Sequence, residues 1–416
     1  MRNMLIAQSG GPTAAINASL SGAIQEAIRS GEIGEVYGAL NGIQGVLAGT
    51  IVDLKAQFKT QEDFAVLECT PAMALGSCRF RLPAADSEKG KEIYDTIDAI
   101  FDKYNIGYFF YIGGNDSMDT VDKLSQHFAA TGKDVKVIGI PKTIDNDLPG
   151  SDHSPGFGSS AKFIATAMQE IIRDCYVYDT DSVTIVEIMG RHAGWLTASA
   201  ALPRTVGARA PHLIYLPEVP FDPEQFIKDV KEVQALTRNC IVAVSEGVRL
   251  ADGTFAAENF QSGVVDAFGH RYLSGVGKYL ESLVRDKVGC KVRSIELNVL
   301  QRCSSHLMSD TDLREARRIG GNAVRFALQG YTGVMMVFER VSNKPYMIRI
   351  DAKPVSEIAN REQLVPREWI NDKGNDVTAE MFDYLLPLIE GEVPYPTVNG
   401  MPVHFVIEKT VAEPVK

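Results

Sequence analysis

Two stretches hold most of the reactive side chains: Gly113-Gly114-Asn115-Asp116-Ser117 and Pro141-Lys142-Thr143-Ile144-Asp145-Asn146-Asp147. Two glycines let main-chain N–H groups approach a phosphate closely. Asp116 repels a phosphate unless a cation stands beside it, and it serves equally as an ordinary helix N-cap. The second stretch is harder to explain as a solvated loop, because two carboxylates and a lysine crowded at a strand end rarely help stability. Asp145 suits a general base that takes a proton from an alcohol. Asp147 suits magnesium, held through oxygen ligands or water, and Lys142 suits charge neutralisation on a transferring phosphoryl group. Together the residue types point to phosphoryl transfer rather than simple binding.

Other loops offer weaker signals. Ser9-Gly10-Gly11-Pro12-Thr13 is an anion cradle or merely a tight turn, and neither reading is favoured. In Met189-Gly190-Arg191-His192 the arginine can reach a phosphate, whereas His192 reads as structural. Glu246 at a strand end suits sugar hydroxyls or an N-cap. Arg293 and Arg302 suit a phosphate monoester, though surface arginines are common.

The elements that must position these loops are short apolar runs. Met4–Gln8, Tyr108–Ile112, Val135–Ile140, Ser182–Ile188, His212–Leu216, Cys240–Val244, Val292–Leu297 and Gly333–Phe338 read as strands. Helical patterns follow several of them, near 15–30, 117–131 and 194–202. Alternation of this kind predicts an α/β fold of largely parallel sheets, with ligands beyond the strands' C-terminal ends. The strand count suits two Rossmann-like lobes, and 416 residues exceed most single cores. Past Lys344 the pattern weakens into a turn-rich extension.

Composition narrows the classes. A net charge of −11 argues against nucleic acid. No apolar run approaches the ~20 residues that span a bilayer, and the first residues read as a strand rather than a signal peptide. Six scattered cysteines without a Cys-x-x-Cys pair predict neither zinc nor disulfides, which suits a cytoplasmic protein.

In order and spacing these motifs resemble the phosphofructokinase family over residues 1 to about 345, and specifically its pyrophosphate-dependent branch. The ATP-dependent branch reads Gly-Gly-Asp-Gly-Ser and Pro-Gly-Thr-Ile-Asp-Asn-Asp. Here Asp116 and Lys142 replace a glycine in each. An aspartate fills the room that ATP needs, and a lysine neutralises the charge at the end of the shorter pyrophosphate. The resemblance implies a reversible, magnesium-dependent transfer between pyrophosphate and fructose 6-phosphate, giving phosphate and fructose 1,6-bisphosphate in glycolysis or gluconeogenesis. The alternative is an ATP-dependent 6-phosphofructokinase.

By position, the resemblance makes Asp145 the proton acceptor, with Lys142 and Arg191 as its catalytic partners. It assigns Gly10, Gly11, Arg79, Asp116 and Lys142 to the phosphate donor. Thr143, Asp145, Met189, Gly190, Arg191, Glu246, Arg293 and Arg302 fall to the sugar phosphate, and Asn115 and Asp147 to the metal. Arg293 is expected to reach in from a neighbouring subunit, implying a homodimer or homotetramer. A donor lobe over 1–150 and about 303–345, a sugar-phosphate lobe over 151–302 and an extension over 346–416 complete the expectation.

Some positions depart from the family pattern. Asn115 replaces an aspartate, Ser182 a second cross-subunit arginine, and Val299 a substrate-contacting histidine. Ser21 and Gln25 stand where allosteric relatives carry effector-binding arginines. A lipid or NAD kinase leaves Met189-Gly190-Arg191 unexplained, and a non-catalytic sensor would not need Asp145. A Rossmann dehydrogenase lacks its Gly-x-Gly-x-x-Gly fingerprint.

Overall fold

Asn3–Gln8 (β1) is buried along its whole length, and its side chains alternate between two cores. Met4 and Ile6 enter one apolar cluster, while Leu5 and Ala7 enter another on the opposite face. Only a strand covered on both faces reads as such a continuous apolar run. The computed structural model describes residues 1–258 and 275–414. From β1 the chain adds Val36–Ala39 (β2), Ile51–Asp53 (β3), Ile106–Gly113 (β4) and Lys136–Pro141 (β5). It then leaves to build a second sheet from Ser182–Ile188 (β6), Leu213–Tyr215 (β7), Asn239–Ser245 (β8) and Lys291–Glu296 (β9). Finally it returns with Val334–Asn343 (β10) and Tyr346–Pro354 (β11).

The first sheet has seven strands in the order β11-β10-β5-β4-β1-β2-β3, and the second has four in the order β7-β8-β6-β9. The second is parallel throughout. In the first, only the edge pairs β2–β3 and β10–β11 run antiparallel. The second sheet is also covered on both faces, with Val183 and Ile185 in one cluster and Val186 and Ile188 in the other. This is the α/β architecture of two largely parallel sheets that the strand pattern predicts.

The sequence reading does not include β2 and β3, and the structure departs from it in two further places. The first sheet runs on past residue 345, because β11 pairs with β10 from Val334↔Pro354 to Asn343↔Tyr346. That edge strand is half exposed and carries Arg349, Asp351 and Lys353, so its apolar signal is diluted. The helix expected over 194–202 is α-helical only at Trp195–Ala198 and continues as a 3₁₀ helix, Ser199–Val206. Pro203 lies inside that segment and has no N–H to give an α-helical bond. Beyond β11, the helix Ala379–Leu385 packs into the second lobe's core through Met381, Tyr384 and Leu385. The tail then crosses back to the first lobe, where Phe405 stacks on Phe58 at 4.7 Å and the Ala412 N–H donates to Ile51 O.

The helix that follows the first glycine loop, Ile16–Ser30, is pinned by a close crossing with Asp310–Leu328. A Cβ on Gly22 would lie 1.9 Å from Arg317 O, and one on Gly320 would lie 2.0 Å from Ser19 O. Alanine in a helix interior normally gains about 1 kcal/mol over glycine. Here the obstacle is backbone and cannot swing aside, so overpacking wins. Gly22→Ala should cost about 1–3 kcal/mol or more, read as a lower urea midpoint at unchanged m-value.

Candidate active site

The two lobes face each other across a cleft of about 770 Å³. β1, β4 and β5 end at it from one side, and β6 and β8 from the other. Such a junction is where open parallel sheets offer backbone and side chains to a ligand.

Lys142, one residue past β5, is 2% exposed, and its Nζ donates to Gly11 O at 2.6 Å. Burial lowers its pKa to about 8, with Asp145 and Asp147 pulling the other way. Gly10 sits directly beneath it at φ +83°, where a Cβ would come 3.1 Å from Nζ. Gly11 has more room, since a Cβ there would meet Arg302 Nη1 at an ordinary contact distance of 3.6 Å. The first glycine loop is therefore roofed by two cations.

At the end of β4, the helix Asn115–Thr131 begins without a side-chain cap, and its N-terminus borders the cleft. An uncapped start leaves backbone N–H groups able to bind an anion. Asp116 in its first turn accepts from Arg81 Nη2 at 3.3 Å, supplying the cation that the carboxylate requires there. Arg79 lines the same end.

The loop after Lys142 turns sharply. Thr143 Oγ1 accepts the Asp145 N–H at 3.1 Å, and Asn146 adopts a left-handed backbone at φ +58°. Asp145 and Asp147 flank it, and both line the cleft. Burial raises the pKa of Asp145 against the opposing pull of Arg191 and Lys142. Asp147 is likewise raised, by burial and then by the neighbouring Asp145 charge.

On the opposite wall, Gly190 turns the chain after β6 at φ +129°, where a Cβ would clash with Ala193 O at 2.6 Å. The Met189 N–H donates to Gln301 Oε1 at 3.1 Å, and the Gly190 N–H to Glu246 Oε1 at 3.4 Å. Met189, Arg191 and Glu246 line the cleft. Burial, Asp145 and Glu187 together push the Glu246 carboxyl up to about 8. That wall sets the Arg191 cation beside the Glu246 carboxyl, so it offers a charge for a phosphoryl group and polar partners for hydroxyl groups.

Arg302 lines the cleft, but Arg293 does not. Arg293 sits in β9 with a half-exposed side chain and meets Asp174 at 3.4 Å, beside Tyr178 and Lys291. Ser182, at the same end of the second sheet, donates to Asn239 Oδ1 at 2.6 Å. Val299 borders the cleft as an exposed apolar side chain.

Asn115 has a different occupation from the one its position suggests. Its Nδ2 donates to Arg361 O, and its Oδ1 accepts the Asn360 N–H at 2.5 Å. That carbonyl oxygen is the atom a metal would use. Among the described residues, no group of three or more His, Cys, Asp or Glu converges as a metal cage. Magnesium needs only one or two carboxylates, with phosphate and water filling its octahedron. The buried Asp145–Asp147 pair fits that requirement.

Sequence reasoning missed the segment 360–362. Asn360 and Glu362 line the cleft; Asn360 Oδ1 accepts from Arg81, and Glu362 lies 3.3 Å from His192 Nδ1. These contacts join residues far apart in the chain, and nothing local in the sequence announces them. Glu187, inside β6, also lines the cleft, and its carboxylate accepts the Gly277 N–H at 2.7 Å.

Comparison with known proteins agrees with this geometry. The phosphofructokinase family profile matches residues 3–327. A pyrophosphate–fructose 6-phosphate 1-phosphotransferase from Halomonas elongata is 42% identical over 403 residues, covering 96% of this chain and 94% of that protein. Its counterpart from Methylococcus capsulatus is 40% identical over 404 residues, with the same coverage of 96% and 94%. The crystal structure of a pyrophosphate-dependent phosphofructokinase from Nitrosospira multiformis is 36% identical, covers 100% of this chain and 97% of that one, and superposes with a TM-score of 0.86.

Proposed function

We infer the reaction from the premise that this chain belongs to the phosphofructokinase family. It is a phosphotransferase that moves a phosphoryl group reversibly between pyrophosphate and fructose 6-phosphate, yielding phosphate and fructose 1,6-bisphosphate. The observation that carries the choice of donor is the filled phosphate end of the cleft. Lys142 is buried over the first glycine loop, and Asp116 stands at the N-terminus of the Asn115–Thr131 helix, tied to Arg81. A short, doubly charged donor end suits that space. A nucleoside triphosphate would meet a carboxylate where glycine would leave room.

In the mechanism, the sugar's 1-hydroxyl approaches Asp145, whose raised pKa makes it a better proton acceptor than an exposed aspartate. The hydroxyl oxygen attacks the nearer phosphorus as its proton passes to the Asp145 carboxylate, and phosphate departs in line. Lys142 and Arg191 hold charge on the moving phosphoryl group from opposite sides of the cleft. Gly10, Gly11 and Arg79 hold the far phosphate. Met189, Gly190, Thr143 and Glu246 orient the sugar. Asp147, alongside Asp145, would hold Mg²⁺, which supplies charge neutralisation to the bound phosphates. Asn115 instead fixes the 360–361 segment through both amide atoms.

Arg302 lines the cleft beside the Gly11 loop, so it can meet the sugar's 6-phosphate only from the donor side of the cleft. Arg293 lies outside its own cleft, which supports a homo-oligomer in which it serves a neighbour's site, as a dimer or tetramer. No helix among the described residues is long and apolar enough to cross a membrane, and all six cysteines are unpaired. The likeness to pyrophosphate–fructose 6-phosphate 1-phosphotransferases supports a cytoplasmic enzyme of glycolysis or gluconeogenesis. The test is fructose 1,6-bisphosphate formation with pyrophosphate, ATP and polyphosphate side by side. Pyrophosphate should give the highest kcat/KM, and a preference for ATP would overturn the donor assignment.

A further inference from the structure

We propose that Tyr384, in the C-terminal extension, is a positioning residue that sets the geometry of the Asp145–Asp147 pair by clamping Asn146. The proposal rests on the phosphotransferase reading of the cleft. Tyr384 lies beyond residue 327, where the family match ends.

Asn146 is the hinge between the two carboxylates. A non-glycine residue at φ +58° is intrinsically disfavoured, although asparagine tolerates it best. The side chain is 1% exposed, so its amide must find partners inside the protein. Its Oδ1 accepts the Ser154 N–H at 2.9 Å, and its Nδ2 donates to Tyr384 Oη at 2.7 Å. Tyr384 Oη in turn donates to Asp152 O at 2.7 Å. A phenol has one proton, and it is spent on Asp152 O, so the oxygen is free to accept from Asn146. The amide orientation and the hydroxyl direction are thereby fixed together.

The ring of Tyr384 is equally constrained. It lies 5.0 Å from the Trp195 ring, and the Arg340 guanidinium sits over it at 4.6 Å. Arg340 Nη1 also donates to Tyr384 O at 3.1 Å, and Arg340 pairs with Asp152 at 2.9 Å. Asp152 meets His153, whose other ring nitrogen meets Glu315 at 2.6 Å. A buried network anchored on β10, on the helix Asp310–Leu328 and on the helix Ala379–Leu385 thus ends at one amide between the Asp145 and Asp147 carboxylates. Fixing that amide restricts the rotation that would carry Asp145 away from the sugar hydroxyl, where an error near 1 Å costs orders of magnitude in rate.

Tyr384→Phe keeps the ring and removes only the clamp. It should lower kcat about tenfold while leaving KM for both substrates within about twofold, because positioning matters most at the transition state. Asn146→Gly accepts the left-handed backbone but loses the amide, and should lower kcat by a similar factor. The double variant should lose no more than the larger single loss, since both changes break one contact. Tyr346→Phe is the structural control. It removes a hydroxyl bonded to Glu315 at 3.0 Å in the same network without touching Asn146, and should lower Tm yet spare kcat. Tyr384→Phe with wild-type kcat, losses that multiply in the double variant, or an equal kcat loss in Tyr346→Phe would overturn the proposal. If Tyr384→Phe does not fold, Asn146→Gly with wild-type kcat overturns it alone. Absence of pyrophosphate-dependent activity in the unaltered protein would instead refute the reaction on which it rests.

Discussion

Asp145→Asn should lower kcat by roughly 100-fold or more, the range for loss of a general base. KM for fructose 6-phosphate should move far less, because the carboxylate acts chiefly as the proton moves. A second readout separates loss of the base from a general disturbance of the cleft. Lys142 has a pKa of about 8, held down by burial and held up first by Asp145. Removing the Asp145 charge lowers the Lys142 pKa further, so the ammonium is lost at lower pH. The alkaline limb of the residual activity should therefore move toward acid. A pH–rate profile of the variant checks this, and near-normal turnover would remove Asp145 from the mechanism.

Exchange of the donor is the second large effect. Asp116→Gly frees space at the helix start and releases Arg81, which now pairs with Asp116 and also contacts Asn360. A weak ATP-dependent activity should appear. Lys142→Gly should chiefly damage pyrophosphate use, because donor and transition state both feel that charge. The double change should shift the ratio of ATP to pyrophosphate kcat/KM further than either change alone, since both side chains face one phosphate site. Complete conversion is not expected, because Asn360 and Glu362 still line the cleft and nothing in these changes builds an adenine pocket. Donor ratios that stay unaltered across all four proteins would refute the roles given to both residues.

What the sequence made legible was local. Each run that reads as a strand overlaps one to within a residue at the ends that overshoot, and the loops at 9–13, 113–117, 141–147 and 189–191 all open on the same cleft. A glycine turn after an apolar run carries its own structural instruction within a few residues. What stayed hidden depends on contacts between distant segments. Asn115 reads as a metal ligand until Asn360 is seen to donate to it. Arg293 and Arg302 look alike in sequence, but only one faces this chain's own cleft. β11 escaped notice because an edge strand with one wet side carries half the apolar signal of a buried one.

The excursion of the chain from β5 to the second sheet and back also dictates an order of assembly. A nascent chain leaves the ribosome N-terminus first, and β9 ends at Glu296, well before β10 begins at Val334. The inserted lobe's four-stranded sheet can therefore form while its host still lacks two strands, although its core waits for Met381, Tyr384 and Leu385. Until β10 arrives, β5 presents a bare row of main-chain donors and acceptors, since β10 is its outer neighbour in the finished sheet. An open edge of that kind templates pairing with another chain. A polypeptide interrupted before Val334 would combine an inner lobe whose core still lacks the Ala379–Leu385 helix with a sticky outer one, a form suited to chaperone capture or aggregation rather than to clean unfolding.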